Sequence, residues 1–290
     1  LIKKLKVSII FGWMYHGIFF SFLLKVLFLN KPKLIWLIRQ TLYDIKKEKK
    51  NTQLIIYLLK FFSTSPDHII YNSYISKHQH EKFGFYKERS RVIHNNVDLR
   101  EFRIKKNKKQ KITNIFCVAR FHPMKNHDLM IKSFFLVLNR IKNIKIHLIG
   151  NNISYKNNFF KKKIYNKIFR KDFVLHDNNI QIQQLYNNCD LLVSTSAWGE
   201  GFPNVIAECS VKGIESIATN IGDTKHLILN KSLALRPNIN PIILSEKIIH
   251  VIQKLKKKKM GACNPQVGIF RNKLDITKST FKFISILNEL

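Results

Sequence analysis

The chain has 290 residues, enough for about two domains, and its 45% hydrophobic content is ample for buried cores. A formal net charge of +33, from 51 basic against 18 acidic residues, first suggests nucleic acid. But 41 of the 51 are Lys spread along the whole chain, with no aromatic–basic RNA motif, zinc-finger spacing or basic zipper, so the expected partner is an anionic membrane surface rather than nucleic acid. The cysteines Cys117, Cys189, Cys209 and Cys263 form no C-x-x-C pair, and three lie in apolar runs. This argues against a disulfide framework and for a reducing, cytoplasmic compartment. The chain starts at Leu1 without a cleavable signal pattern and is read as a fragment.

Val7 to Leu24 is free of charged residues for 18 positions, the length of a membrane span. Gly12, His16 and Gly17 interrupt it and Lys25 closes it, so the expectation is a strand Lys6–Phe11, a turn Gly12–Gly17 and a helix Ile18–Leu29. There follow a strand Leu34–Arg39, a helix Thr52–Phe62, a strand Asp67–Tyr71, a helix Ser73–Phe83 and a strand Arg91–His94. Such alternation predicts a parallel α/β sheet. The run Arg103–Lys111 has no apolar period and reads as a solvated linker and domain boundary.

The alternation then restarts. Strands are expected at Ile112–Ala119, Ile144–Gly150, Phe173–His176, Asp190–Thr195 and Glu215–Thr219. Helices are expected at Asn126–Arg140, Asn157–Lys171, Ile180–Asn188, Asp223–Leu229 and Asn240–Leu255, the last followed by the lysine run Lys256–Lys259. Phe281, Ile284 and Leu287 recur at three-residue steps and predict a final helix over Thr277–Leu290 with one buried face.

The stretch from Trp198 to Lys212 carries the chemistry. Pro203 suits a first helical position, and the N–H groups of Asn204 and Val205 then lack intrahelical partners and form an anion site. Glu208 lies roughly 7.5 Å along the helix axis, far enough to pass the phosphates and reach a ribose hydroxyl. Glu200 precedes the helix and can accept a hydrogen bond from whatever group the phosphate carries. The stretch reads as a grip for a sugar–diphosphate–nucleoside; the plainer reading is an amphipathic core helix with a polar lead-in. Upstream, Arg120 and Lys125 in A-R-F-H-P-M-K follow a strand end, where a planar fork and a mobile point charge can both reach a diphosphate.

The run E-G-F-P-N-V-I-A-E resembles the E-x7-E donor motif of family 4 retaining glycosyltransferases. The resemblance implies an α/β GT-B fold of two Rossmann-like domains facing a cleft. The first is incomplete here, because the family's first strands and glycine-rich loop are absent. The implied domains are 1–103 on the acceptor side, a basic linker 104–111, a donor-binding domain 112–274 and a helix 275–290 returning to the first domain. By resemblance Arg120, Lys125 and Glu200 are catalytic, Arg120 and Lys125 matching the family's R…K pair on the donor phosphates. Gly150, Val174, His176, Gly201, Phe202, Pro203, Asn204, Val205 and Glu208 then bind the donor, the stretch Val174–His176 through backbone that leaves the base unreadable. His16 and Arg39 are acceptor-side candidates, Arg39 standing where many relatives carry an active-site His. In I-H-N-N-V-D, Asn96 replaces the glycine that usually closes the first domain.

The family's reaction needs no metal and no cofactor, the nucleotide-sugar being a substrate. The acceptor is a saccharide or lipid-linked saccharide of cell-surface polysaccharide or lipopolysaccharide synthesis, met at the inner face of the membrane. The alternatives are another GT-B enzyme, such as a sugar epimerase, or a basic nucleic-acid-binding α/β protein.

Overall fold

The computed structural model describes residues 7–27, 32–104, 113–165, 167–177, 181–257 and 264–290. Most of the basic linker, Ile180, Lys258, Lys259 and Cys263 lie outside these ranges. The chain divides into two units: Leu1–Asn95 with Gly199–Phe202 and Ile276–Leu290, and Asn96–Trp198 with Pro203–Asp275. Residues 96–103 thus pack with the second unit, where Val97 N–H donates to Leu274 O (2.9 Å) and Asn96 Nδ2 to Asp275 O (2.9 Å).

The first unit runs β1 (Ile9–Trp13), α1 (Met14–Leu27), β2 (Lys33–Ile38), α2 (Lys50–Phe61), β3 (His68–Tyr71), α3 (Tyr74–Phe83) and β4 (Ser90–Val92). The four strands pair in sequential order, all parallel. β2 is buried on both faces, as strands under crossover helices must be. Leu34, Trp36 and Ile38 join Tyr15, Ile18, Ile56 and Leu59, while Ile35 and Leu37 join Ile70 and Ile286. Ile286 comes from the last helix, α11 (Ile276–Asn288), which covers this second face. The expected turn over Gly12–Gly17 is instead the end of β1 and the first turn of α1, with Met14 taking the positive φ (57°) at the junction. Gly12 is required inside the strand rather than in a turn: an added Cβ would stand 2.7 Å from Ile18 Cα. Among the described residues no helix is long and apolar enough to cross a membrane, and Val7–Leu24 is divided between β1 and α1.

His80 lies fully buried in this unit. Its Nδ1 meets Ser76 O at 2.8 Å and its Nε2 meets the Tyr15 hydroxyl at 2.7 Å, so Nδ1–H donates to the carbonyl and Nε2 accepts from the phenol. Burial pushes its pKa down from 6.5 to about 4. The neutral ring is the form the fold accommodates, so its contribution is complete above pH 6.5 and is lost as pH falls toward 4. That loss is on the order of 3 kcal/mol. His127 and His147 of the second unit, also lowered to about 4, act with the same sign. The His80 share is therefore read as a difference: His80→Gln should flatten the fall in unfolding midpoint between pH 6.5 and 4, and parallel pH profiles for the two proteins would refute the assignment.

The second unit runs β5 (Thr113–Val118), α4 (His127–Arg140), β6 (Ile144–Ile149), α5 (Asn158–Phe160), β7 (Phe173–His176), α6 (Ile182–Leu185), β8 (Leu191–Ser194), α7 (Asn204–Lys212), β9 (Glu215–Thr219), α8 (Thr224–Leu227), β10 (Ala234–Leu235), α9 (Pro241–Lys257) and α10 (Gln266–Leu274). The strands form one parallel sheet in the order β10-β9-β8-β5-β6-β7. The single helix expected over Asn157–Lys171 is broken into α5, a π turn Lys161–Tyr165 and a 3-10 turn Arg170–Asp172. The break falls at the run Lys161 to Lys163. Phe160 and Ile164 still hold the segment down by burying completely.

Candidate active site

The chain order reverses about β5: β6 and β7 follow on one side, β8, β9 and β10 on the other. Loops leaving adjacent strands there diverge, and open parallel sheets bind ligands at such a switch point. The two strands concerned, β5 and β8, pair directly through Ile115–Leu191 and Phe116–Leu192. The loops after them are tied together. Ala197 N–H donates to Met124 O (2.7 Å), and the buried Thr195 hydroxyl lies 2.9 Å from Lys125 O and 3.2 Å from Asn126 O.

The β5–α4 loop carries Arg120, exposed, and Lys125, half-buried. Lys125 ends a short 3-10 turn, Pro123–Lys125, that His122 caps by accepting from Met124 N–H (3.2 Å). Asn126 then caps α4 in a left-handed conformation (φ 49°), accepting from Leu129 N–H. Gly150, at the end of β6, has φ +149°, and a Cβ there would stand 2.4 Å from Ala119 O. Its close approach sets the position of the loop that holds Arg120.

α7 begins at Asn204, with Pro203 outside the helix as its cap (φ −74°, ψ 94°) rather than at the first helical position. The Pro203 carbonyl accepts from Ile206 and Ala207 N–H, and no side chain caps this end. One turn in, Glu208 Oε2 accepts from the Tyr186 hydroxyl at 2.8 Å. Burial raises the pKa of Glu208, and the Tyr186 bond partly offsets this. Tyr186 itself is wholly buried. The sequence reading missed this partner, because a contact across 22 residues leaves no local pattern. A Tyr five residues before β8 was the one available sign.

Val174 and His176 lie on β7, where His176 O accepts from Gly150 N–H at 3.0 Å. The His176 ring stacks on His147 (5.4 Å, 15°), with 3.1 Å between Nε2 and Nδ1. Its side chain is thus engaged within the sheet, and burial lowers its pKa.

Arg120, Lys125, Gly150, Val174, His176, Pro203, Asn204, Val205 and Glu208 all belong to the second unit, whereas Glu200, Gly201 and Phe202 belong to the first with His16 and Arg39. In the first unit Glu200 pairs with Gln40 in an antiparallel bridge, just past the end of β2. Gly201 passes so close that a Cβ would meet Asn72 Oδ1 at 2.4 Å and Arg39 O at 3.1 Å. Phe202 is buried against the His94 ring (5.5 Å). His16 is exposed in the first turn of α1, not at a strand end. The Arg39 guanidinium lies over the Trp13 ring at 4.7 Å and donates to Asn95 Oδ1.

The chain matches the family described as glycosyl transferases group 1 over residues 98–263, more than half of its length. A curated relative, an uncharacterized 41.2 kDa protein in the cps region of Klebsiella pneumoniae, is 26% identical over 232 residues, 73% of this chain and 61% of that protein. The chain therefore spans less than two thirds of that relative's length. Among solved structures, Anabaena HepE in complex with UDP-glucose aligns with a TM-score of 0.80 at 17% identity, over 98% of this chain and 79% of HepE. A glycosyltransferase from Rickettsia africae aligns with a TM-score of 0.76 at 19% identity, over 99% and 78%. At such identities the likeness gives the fold, which is GT-B.

Proposed function

Because this chain belongs to the group 1 glycosyl transferases, we propose that it moves a sugar, with retention of configuration as in family 4, from a nucleotide-sugar to a saccharide or lipid-linked saccharide acceptor in cell-surface polysaccharide synthesis. The observation that carries the reading is the switch point, where the loops after β5 and β8 are hydrogen-bonded together and bring Arg120 and Lys125 to one edge of the sheet. Glu208 supports it. A carboxylate held by a buried Tyr inside the first turns of a helix is built to accept hydrogen bonds, and a ribose has two hydroxyls to give.

In this reading the diphosphate lies between the α7 N-terminus and the two cations. The acceptor hydroxyl attacks the anomeric carbon on the face the diphosphate leaves, and the departing phosphate oxygen takes the hydroxyl proton. Arg120 and Lys125 neutralise the charge that develops, which makes a metal ion unnecessary. Glu200 accepts from the donor sugar. HepE was solved with UDP-glucose, so UDP-sugars are the first donors to try.

Thermal shift against nucleoside diphosphates and their sugars tests the assignment, since ligands stabilise by mass action. Glu208→Gln should weaken free nucleotide and nucleotide-sugar alike, by about tenfold. Glu200→Gln should weaken only the sugar form. Equal losses from both substitutions would show the roles to be misassigned, and no shift with any nucleotide would remove the donor site altogether.

A position at the inner face of the membrane belongs to the same proposal, and the surface of the first unit supports it. α1 leaves Phe20, Leu23 and Leu27 exposed, and α2 leaves Leu54, Tyr57 and Phe61 exposed. The two helices pack side by side through stacked Phe22 and Phe62 (4.6 Å), and Lys46, Lys47, Lys49 and Lys50 lead into α2. An apolar face bordered by lysines suits an anionic bilayer surface. Flotation with phosphatidylglycerol vesicles should recover the protein, and Phe20→Ser with Phe61→Ser should abolish recovery. Equal recovery of wild type and variant would count against this face.

A further inference from the structure

All four strands of the first unit end at the same edge of its parallel sheet, and the residues just past those ends form one cluster. β1 ends in Trp13, β2 is followed by Arg39 and Gln40, β3 by Asn72, and β4 leads to His94 and Asn95. Asn72 Nδ2 donates to Arg39 O (3.3 Å), and Asn95 Oδ1 accepts from the guanidinium. The fixed Arg39 stacks on Trp13, a residue that is 53% exposed. Tyr74, 56% exposed, packs edge-on against His94 at 4.9 Å.

What this cluster lacks is a counter-charge. Arg39 is half-buried, and among the described residues no carboxylate forms an ion pair with it. Glu200 stands across from the neighbouring Gln40. Burial disfavours the charged guanidinium, with no opposing charge to offset it. A partly desolvated cation is costly unless it is paired, and the arginine fork is shaped for the two oxygens of a carboxylate or phosphate. Asn95 occupies part of the fork and orients the rest. The exposed indole beside it is a flat apolar platform of the kind a sugar ring covers.

We propose that this cluster is an acceptor subsite selective for a negatively charged glycan: a pyranose ring lies on Trp13, and the carboxylate or phosphate it carries is held by Arg39. This rests on the glycosyltransferase reading above and narrows its acceptor to an acidic class. The anion has two possible sources, a uronic acid carboxylate or a phosphate on the sugar, as in a lipid-linked saccharide.

The test is calorimetry on the full chain, first with UDP and GDP, then with three glycosides while the binding nucleotide is kept saturating to fill the donor site. The glycosides are methyl glucoside, methyl glucuronide and glucose 1-phosphate. At least one anionic glycoside should bind tenfold or more tightly than methyl glucoside, and which one does so identifies the source of the charge. Arg39→Gln should bring that ligand to the level of the neutral glycoside, Arg39→Lys should retain part of the preference, and Trp13→Ala should weaken all three. An unfolding midpoint and near-UV circular dichroism unchanged in the variants show that the first unit still folds, and unchanged nucleotide affinity shows the same of the second. Binding of all three glycosides alike, binding of none, or a preference that survives Arg39→Gln would each overturn the subsite. Failure of both nucleotides to bind would instead strike the glycosyltransferase reading itself, so the two failures are distinct.

Discussion

Lys125→Ala is expected to lower turnover by about 10²–10³-fold, with the donor KM changing far less. The backbone that carries Lys125 is held before any ligand arrives. Its turn is capped by His122, its carbonyl accepts from Thr195, and the next residue is fixed in a left-handed cap. Such preorganisation is what lets a cation stabilise charge that appears only in the transition state. Arg120→Ala should cost a similar factor if, as proposed, the two cations share one leaving group. EDTA should leave turnover unchanged. Steady-state kinetics with the donor found by thermal shift checks all three statements. A loss below fivefold for both substitutions, or an EDTA-sensitive rate, would place the chemistry elsewhere.

Gly150→Ala should destabilise the second unit by about 3 kcal/mol or more. Two costs add. A φ of +149° is one that residues with a Cβ rarely adopt, and the new Cβ would stand 2.4 Å from Ala119 O, 2.6 Å from Ala119 C and 2.8 Å from Arg120 N. All three are backbone atoms, so no side chain can swing aside. The unfolding midpoint should fall by about 6–12 °C. Turnover of whatever remains folded should fall too, because the atoms displaced belong to the loop that presents Arg120. A midpoint within about 2 °C of wild type would show that the sheet end relaxes at little cost.

Strand and helix identity was legible wherever burial alone decides it. β2 and β8 are short apolar runs, and α4 and α9 have clean helical periods. The edges were not legible where a single residue carries the geometry: Met14 takes a positive φ that its side chain does not advertise, and Pro203 caps α7 instead of entering it. The break within Asn157–Lys171 and the two-residue β10 depend on tertiary packing, which periodicity cannot report. The stretch from Glu200 to Glu208 stood out because its residues are contiguous. Tyr186 and the Trp13–Arg39–Asn95 cluster could not, since each joins positions brought together only by the sheet.

The covering of β2 and β3 by α11 sets the order in which the molecule can be finished on the ribosome. The strands β1 to β4 are made before the second unit and pair with their immediate neighbours, so this sheet can form ahead of it. One face of it, around Ile35, Leu37 and Ile70, is closed by Ile286 of α11, which is translated roughly two hundred residues later. The half made first is therefore the half completed last. Throughout the synthesis of the second unit, that strip of isoleucine and leucine stays bare, a natural hold for chaperones and the place where an interrupted chain would aggregate.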